Sequence, residues 1–173
     1  MSLPPANAEL IFSADEIDRA IDRVAVRINV DFVDQTVTFL SLLRGALPFT
    51  WDLTRRLVVD LEIEFIRIQR YQGQKSYDPQ LIDGNIKNVE GKTVIVIDDV
   101  FDDGLTLEFV YDLLGKVTSE IYSVVLLKKE SNLKRSMEPD YVALHAPNRY
   151  LIGRGMDLNG KYRDLPAIYA VAN

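Results

Sequence analysis

The chain has 173 residues, 47% of them hydrophobic, with a formal net charge of -6 and a pI near 4.8. That length suits one domain with a substantial core, and the acidic balance argues against a nucleic-acid surface. With no cysteine and a single histidine, His145, the composition excludes disulfides, thiolate catalysis and metal sites built from either residue.

No apolar run approaches membrane length, and Met1–Asn7 lacks the basic-then-apolar pattern of a secretory signal. The expectation is a cytoplasmic protein with neither membrane nor nucleic acid as partner. Ser13 and Glu16 form a capping box, after which Ile17, Ala20, Ile21, Val24 and Ile28 keep a helical stripe. Thr36–Leu43 (TVTFLSLL) predicts the first core strand. Arg44–Gly45 follows it, and Phe49, Leu53 and Leu57 begin a helix. Leu61–Gln69 alternates apolar and polar residues, the mark of a half-exposed strand near a sheet edge, and Arg70–Tyr71 ends it. Gln72–Asn88 is polar, contains glycine and has no period, which reads as a surface hairpin.

The segment Lys92–Gly115 carries the strongest signal. Thr93–Ile97 is an apolar run rich in β-branched residues, as in a strand buried on both faces of a parallel sheet. Asp98 and Asp99 end the run, Asp102, Asp103 and Gly104 follow, and Leu105–Leu114 shows helical spacing up to a stop at Gly115. Strand, acidic loop and helix in this order put the loop where open α/β sheets bind ligands. Carboxylates at the strand tip can accept hydrogen bonds from the vicinal hydroxyls of a sugar. The turn Asp103–Gly104–Leu105–Thr106 aims backbone N–H groups at one spot on a helix N-terminus, which suits a phosphate. A sugar phosphate satisfies both halves. A P-loop is excluded, because no Gly-Lys-Ser/Thr follows Gly104.

Ile121–Leu127 is a further buried strand, ending at Lys128–Lys129–Glu130. Tyr141–Leu144 and Tyr150–Ile152 read as short strands, GRGMDLNGKYRDLP as a loop, and Ala167–Val171 as a last strand. The order predicts an α/β fold with a mostly parallel central sheet, flanking helices and a small β-rich region near the C-terminus.

The stretch VIVIDDVFDDGLTL resembles the phosphoribosyl-pyrophosphate (PRPP) binding motif of type I phosphoribosyltransferases, and more narrowly that of the hypoxanthine (hypoxanthine-guanine) phosphoribosyltransferases. The resemblance runs in order from Leu10 to the C-terminus. It implies the type I phosphoribosyltransferase fold, with a small β-rich hood, as a single domain over residues 1–173. It further implies Mg²⁺ as cofactor, a homodimer or homotetramer, and PRPP and a 6-oxopurine as small-molecule substrates. Asp98 and Asp99 then hold the ribose hydroxyls, and Asp103, Gly104, Leu105 and Thr106 the 5′-phosphate. Asp102 is the acid/base group at purine N7. Leu43–Arg44–Gly45 matches the family's pyrophosphate loop, in which the family often has a cis peptide between the basic residue and glycine. Arg163 reaches pyrophosphate and Asp157 the metal. Lys129 donates to the purine's 6-oxygen, Tyr150 stacks on the base, and Leu151 offers backbone groups to its edge. The segment after Arg70 takes the place of a mobile lid.

Three departures stand out. The family more often has Glu-Asp where this chain has Asp98–Asp99, Ser-Tyr where it has Arg70–Tyr71, and Thr where it has Asp103. An acidic side chain beside a phosphate repels it, so Asp103 is expected to point outward and serve only through its N–H, while Arg70, counted with the substrate-binding residues, has no assigned role. The alternative is a PRPP-sensing regulatory protein without catalysis. Such a protein can dispense with base-contacting groups, and this chain keeps Lys129, Tyr150 and Asp102.

Overall fold

The computed structural model describes residues 2–72, 75–130 and 137–171. In chain order they form β1 (Glu9–Phe12), α1 (Ala14–Asp31), β2 (Thr36–Leu43), α2 (Leu47–Thr54), β3 (Asp60–Gln72), β4 (Lys75–Asp83), β5 (Val94–Phe101), α3 (Leu105–Leu114), β6 (Ile121–Lys129), β7 (Tyr141–Ala146), β8 (Tyr150–Ile152) and β9 (Ile168–Val171). Six strands make the main sheet in the order β4-β3-β2-β5-β6-β7. All its pairings are parallel except β3 with β4, an antiparallel edge. This is the expected α/β architecture, but the segment read as a self-contained hairpin over Gln72–Asn88 supplies one strand, β4, which pairs back onto β3, the link between them lying outside the described residues.

Alternation along the central strands divides the core into two layers. Ile95 and Ile97 of β5 face α1 and α2, in a cluster with Ile17, Ile21, Phe39 and Phe49. Val94 and Val96 face the other way and pack with Leu107, Val110 and Leu114 of α3. Helix α1 begins with the predicted capping box, in which the Glu16 side chain accepts from the Ser13 N–H at 2.8 Å. Among the described residues no helix is long and apolar enough to cross a membrane.

A second sheet of three antiparallel strands, β1-β9-β8, joins the two ends of the chain. Strand β1 is not visible in the sequence. It is four residues long, exposed or half-exposed throughout, and settled by its pairing with β9 rather than by its own pattern. Leu151, Met156, Ile168 and Ala170 sink from this hood into the cluster under α1, so the two sheets share a core.

Chain direction fixes where a ligand can go. From β2 the chain steps outward to β3, and it then returns to the opposite side of β2 with β5. The carboxyl ends of β2 and β5 therefore diverge at a topological switch point, the usual crevice of such sheets.

Candidate active site

A cleft of about 720 Å³ opens at this switch point. Its floor comes from the end of β2 and the loop after it, Leu43, Arg44 and Gly45, together with Asp98 and Asp99 of β5. The loop into α3 gives Asp102, Gly104 and Thr106, β6 gives Lys129, and the hood gives Tyr150, Leu151, Asp157 and Arg163. Arg70 closes the side next to β3. Of the residues singled out in the sequence, Asp103 and Leu105 do not line the cleft. A peptide bond is cis in the β2 loop, but it is Leu43–Arg44, one position earlier than the family pattern places it.

Gly45 is where two strand ends almost touch. A Cβ added there would lie 2.0 Å from Asp99 Oδ2, so a larger residue would force that carboxylate to shift. Beside it Asp98 accepts the Asp99 N–H at 2.9 Å. Burial, and then the neighbouring Asp99 charge, push the Asp98 carboxyl well above its ordinary range.

The sign of this shift gives a stability prediction. A carboxyl with a raised folded value holds its proton more tightly in the folded than in the unfolded chain. Its contribution is therefore complete below the unfolded value of ~3.9 and is lost as pH rises through the folded value. Asp98→Asn, which keeps an oxygen for the Asp99 N–H and never ionises, should raise the melting temperature by a few degrees at pH 7. The gain should vanish near pH 4. Thermal melts at both pH values check this, and equal gains at the two would assign the effect to something other than ionisation.

The far wall is a set of interlocked polar contacts. Arg163 Nη2 meets Asp157 Oδ1 at 2.5 Å, and Arg163 Nη1 donates to the Gly155 carbonyl at 2.5 Å. The Gly160 N–H donates to Asp157 Oδ2 at 2.6 Å, and the Tyr150 hydroxyl to the Asp157 carbonyl at 2.8 Å. Arg154, in left-handed backbone (φ 50°), binds Asp18 of α1 and Asp52 of α2, each at 2.7 Å. This ties the wall to both helices of one layer. Among the described residues no three carboxylates or imidazoles cluster into a ready-made metal site.

On the opposite side Lys129 Nζ lies 3.0 Å from Asp102 Oδ2. Strand alternation sends its neighbour elsewhere, and Lys128 pairs with Glu138. Asp103 stays out of the cleft. Its carboxylate does not simply face solvent; both oxygens accept from the Arg70 guanidinium, and Oδ1 also accepts the Leu105 N–H at 3.1 Å. The likeness to a threonine-bearing loop could not show this, because the partner sits on another strand.

Arg67 also lines the cleft, level with Leu43 through the β2–β3 register. Sequence reading missed it, since an arginine in an alternating strand looks like any solvent-facing residue. Only the pairing of Leu43 with Arg67 would have shown it.

Comparison with known proteins agrees with this arrangement. A hypoxanthine-guanine phosphoribosyltransferase of Bacillus subtilis is 29% identical over 163 residues, covering 92% of this chain and 91% of the relative. A crystal structure of a hypoxanthine-guanine phosphoribosyltransferase from Bacillus anthracis superposes with a TM-score of 0.86 at 30% identity, covering 95% of this chain and 98% of the other. The hypoxanthine phosphoribosyltransferase of Trypanosoma cruzi, in complex with the product IMP, gives a TM-score of 0.86 at 29% identity over 99% and 98% of the two chains. The family model for the phosphoribosyl transferase domain matches residues 11–156, from β1 through the β2 loop and the acidic loop to Met156 on the far wall. Over that span, and on this sheet, the chain belongs to the phosphoribosyl transferase domain family.

Proposed function

We propose that this chain is a purine-salvage enzyme acting as one phosphoribosyltransferase domain over its whole length. It transfers the 5-phosphoribosyl group of PRPP to hypoxanthine, and also to guanine, giving purine nucleotide and pyrophosphate. The observation that carries this reading is the Lys129–Asp102 pair at 3.0 Å. Purine O6 and N7 are neighbours on one edge of the base. An ammonium that donates to O6 and a carboxylate that takes the N7 proton must then stand side by side, above the groups that hold the ribose.

Supporting roles follow from position. Asp98 and Asp99 accept from the ribose hydroxyls. Gly104, Leu105 and Thr106 present the α3 N-terminus, and the Thr106 hydroxyl, to the 5′-phosphate. Arg44, Gly45 and Arg163 face pyrophosphate, Tyr150 stacks on the base and Leu151 meets its edge. Asp157 fits Mg²⁺, since a hard carboxylate can supply one oxygen while pyrophosphate and water complete the shell. Bound there, the ion would offset pyrophosphate charge. The lid is assigned to the segment after Arg70. A cytoplasmic homodimer or homotetramer completes the proposal, supported by the exposed apolar side chains of Leu47 and Trp51 on α2. A regulatory PRPP sensor is the weaker reading, because it has no need of paired groups matched to a purine edge.

Base specificity tests the assignment. Given PRPP, Mg²⁺ and hypoxanthine, guanine or adenine in turn, the protein should convert the two 6-oxopurines and not adenine. Lys129→Ala should lower kcat/KM for hypoxanthine by ~10- to 100-fold, since loss of a charged donor to a buried acceptor costs ~1.5–3 kcal/mol. Lys128→Ala should cost far less. Efficient use of adenine, or equal effects at the two lysines, would sink the reading.

A further inference from the structure

The phosphate turn of this chain holds an aspartate where a bound anion would be repelled, and it also holds an answer to that problem. Asp103 lies between Asp102 and Gly104, at the start of the α3 turn. Arg70 reaches it from β3, a strand on the other side of β2, and engages both carboxylate oxygens as a fork. Arg70 is only 7% exposed, so its charge is directed into the protein and toward the cleft it lines. The same carboxylate accepts the Leu105 N–H, which couples the ion pair to the first turn of the helix. Burial works against ionisation of Asp103, but Arg70 and the Leu105 N–H outweigh it and hold the carboxyl below its ordinary value.

We infer that Arg70 is a positioning residue for the phosphate end of the substrate, acting through Asp103. The pair cancels the aspartate's charge beside the phosphate turn and holds that turn in its binding shape. Arg70 is then required because Asp103 is present. A phosphate arriving at Gly104–Thr106 meets a neutral pair instead of a bare carboxylate, and like charge so close would otherwise weaken binding. This deepens the phosphoribosyltransferase reading and rests on it.

A double-mutant cycle on PRPP binding tests the inference, measured by calorimetry with Mg²⁺ present and without purine. Arg70→Gln should weaken PRPP binding by about 10-fold or more, because it uncovers Asp103. Asp103→Asn should tighten it, since the amide still accepts the Leu105 N–H and the arginine's charge now acts on phosphate. The double variant should fall within about 3-fold of the parent protein, so that Asp103→Asn restores what Arg70→Gln loses. A double variant as weak as Arg70→Gln would overturn the inference and make Arg70 a direct phosphate ligand. If Arg70→Gln does not fold, comparing the double variant with Asp103→Asn still decides. With position 103 neutral, loss of the arginine should cost only the direct attraction gained in Asp103→Asn, and a loss well beyond that gain overturns the inference. A parent protein that binds no PRPP would instead remove the functional reading itself.

Discussion

Asp102→Asn should lower kcat by ~10²–10⁴, the usual size of a general acid/base contribution, while leaving PRPP affinity near that of the parent protein. The purine carries a proton on N7 that must leave as N9 attacks the ribose carbon. In the reverse direction, a proton delivered to N7 makes the base a better leaving group. A carboxylate can hold that proton, whereas an amide of the same shape cannot. Position supports the role: Asp102 lines the cleft three residues beyond Asp99, and Lys129 fixes its Oδ2 at 3.0 Å. PRPP should notice little, because Asp98, Asp99 and the phosphate turn keep their own contacts. Steady-state kinetics and calorimetry separate the two effects. A nearly normal kcat would reduce Asp102 to a partner of Lys129.

Gly155→Ala should be the most damaging change outside the reacting groups. A Cβ at this position would lie 1.9 Å from the Gly45 carbonyl oxygen and 3.0 Å from Pro48 Cδ, and the backbone φ is +104°. Neither obstacle yields easily, since one is backbone and the other a rigid ring. Strain at such a φ adds about 1–3 kcal/mol. Together they should cost on the order of 3 kcal/mol or more, which lowers the melting temperature of a chain this long by about 6–12 °C. The damage also reaches the site. The Gly155 carbonyl accepts from Arg163, and the Gly155 N–H donates to the Arg163 carbonyl at 3.0 Å, so a displaced backbone moves both the Gly45 loop and the Arg163 loop. KM for PRPP should therefore rise by about 10-fold or more, by loss of positioned contacts. Gly91→Ala is the control: its φ is +70° with nothing within 4 Å, so it carries strain alone. Equal effects at the two glycines would mean that the contact with Gly45 is unimportant.

What was legible from residue order was local. The apolar run into Asp98–Asp99, the turn at Gly104 and the helix after it are each written within a few residues, and they occur as β5 and α3, although β5 runs on through both aspartates to Phe101. The capping box of α1 is equally self-contained. What was hidden depends on partners distant in the chain. Strand β1 has too little pattern of its own and is ordered by β9. Helix α2 begins at Leu47, earlier than its apolar spacing indicates, with no side-chain cap to announce it. Arg67 is aimed by its register with Leu43. Arg70 and Asp103, two separate departures from the family pattern in the sequence, become a single feature once β3 is laid beside the acidic loop. Electrostatic compensation between strands leaves no mark at either position taken alone.

The most direct test is product formation by the unmodified protein. Purified protein incubated with PRPP, Mg²⁺ and hypoxanthine, followed by chromatography, should give inosine monophosphate and pyrophosphate in equal amounts, with neither formed when the base is omitted. PRPP bound with ordinary affinity but no nucleotide formed from any 6-oxopurine would contradict the enzyme and leave the regulatory sensor in its place.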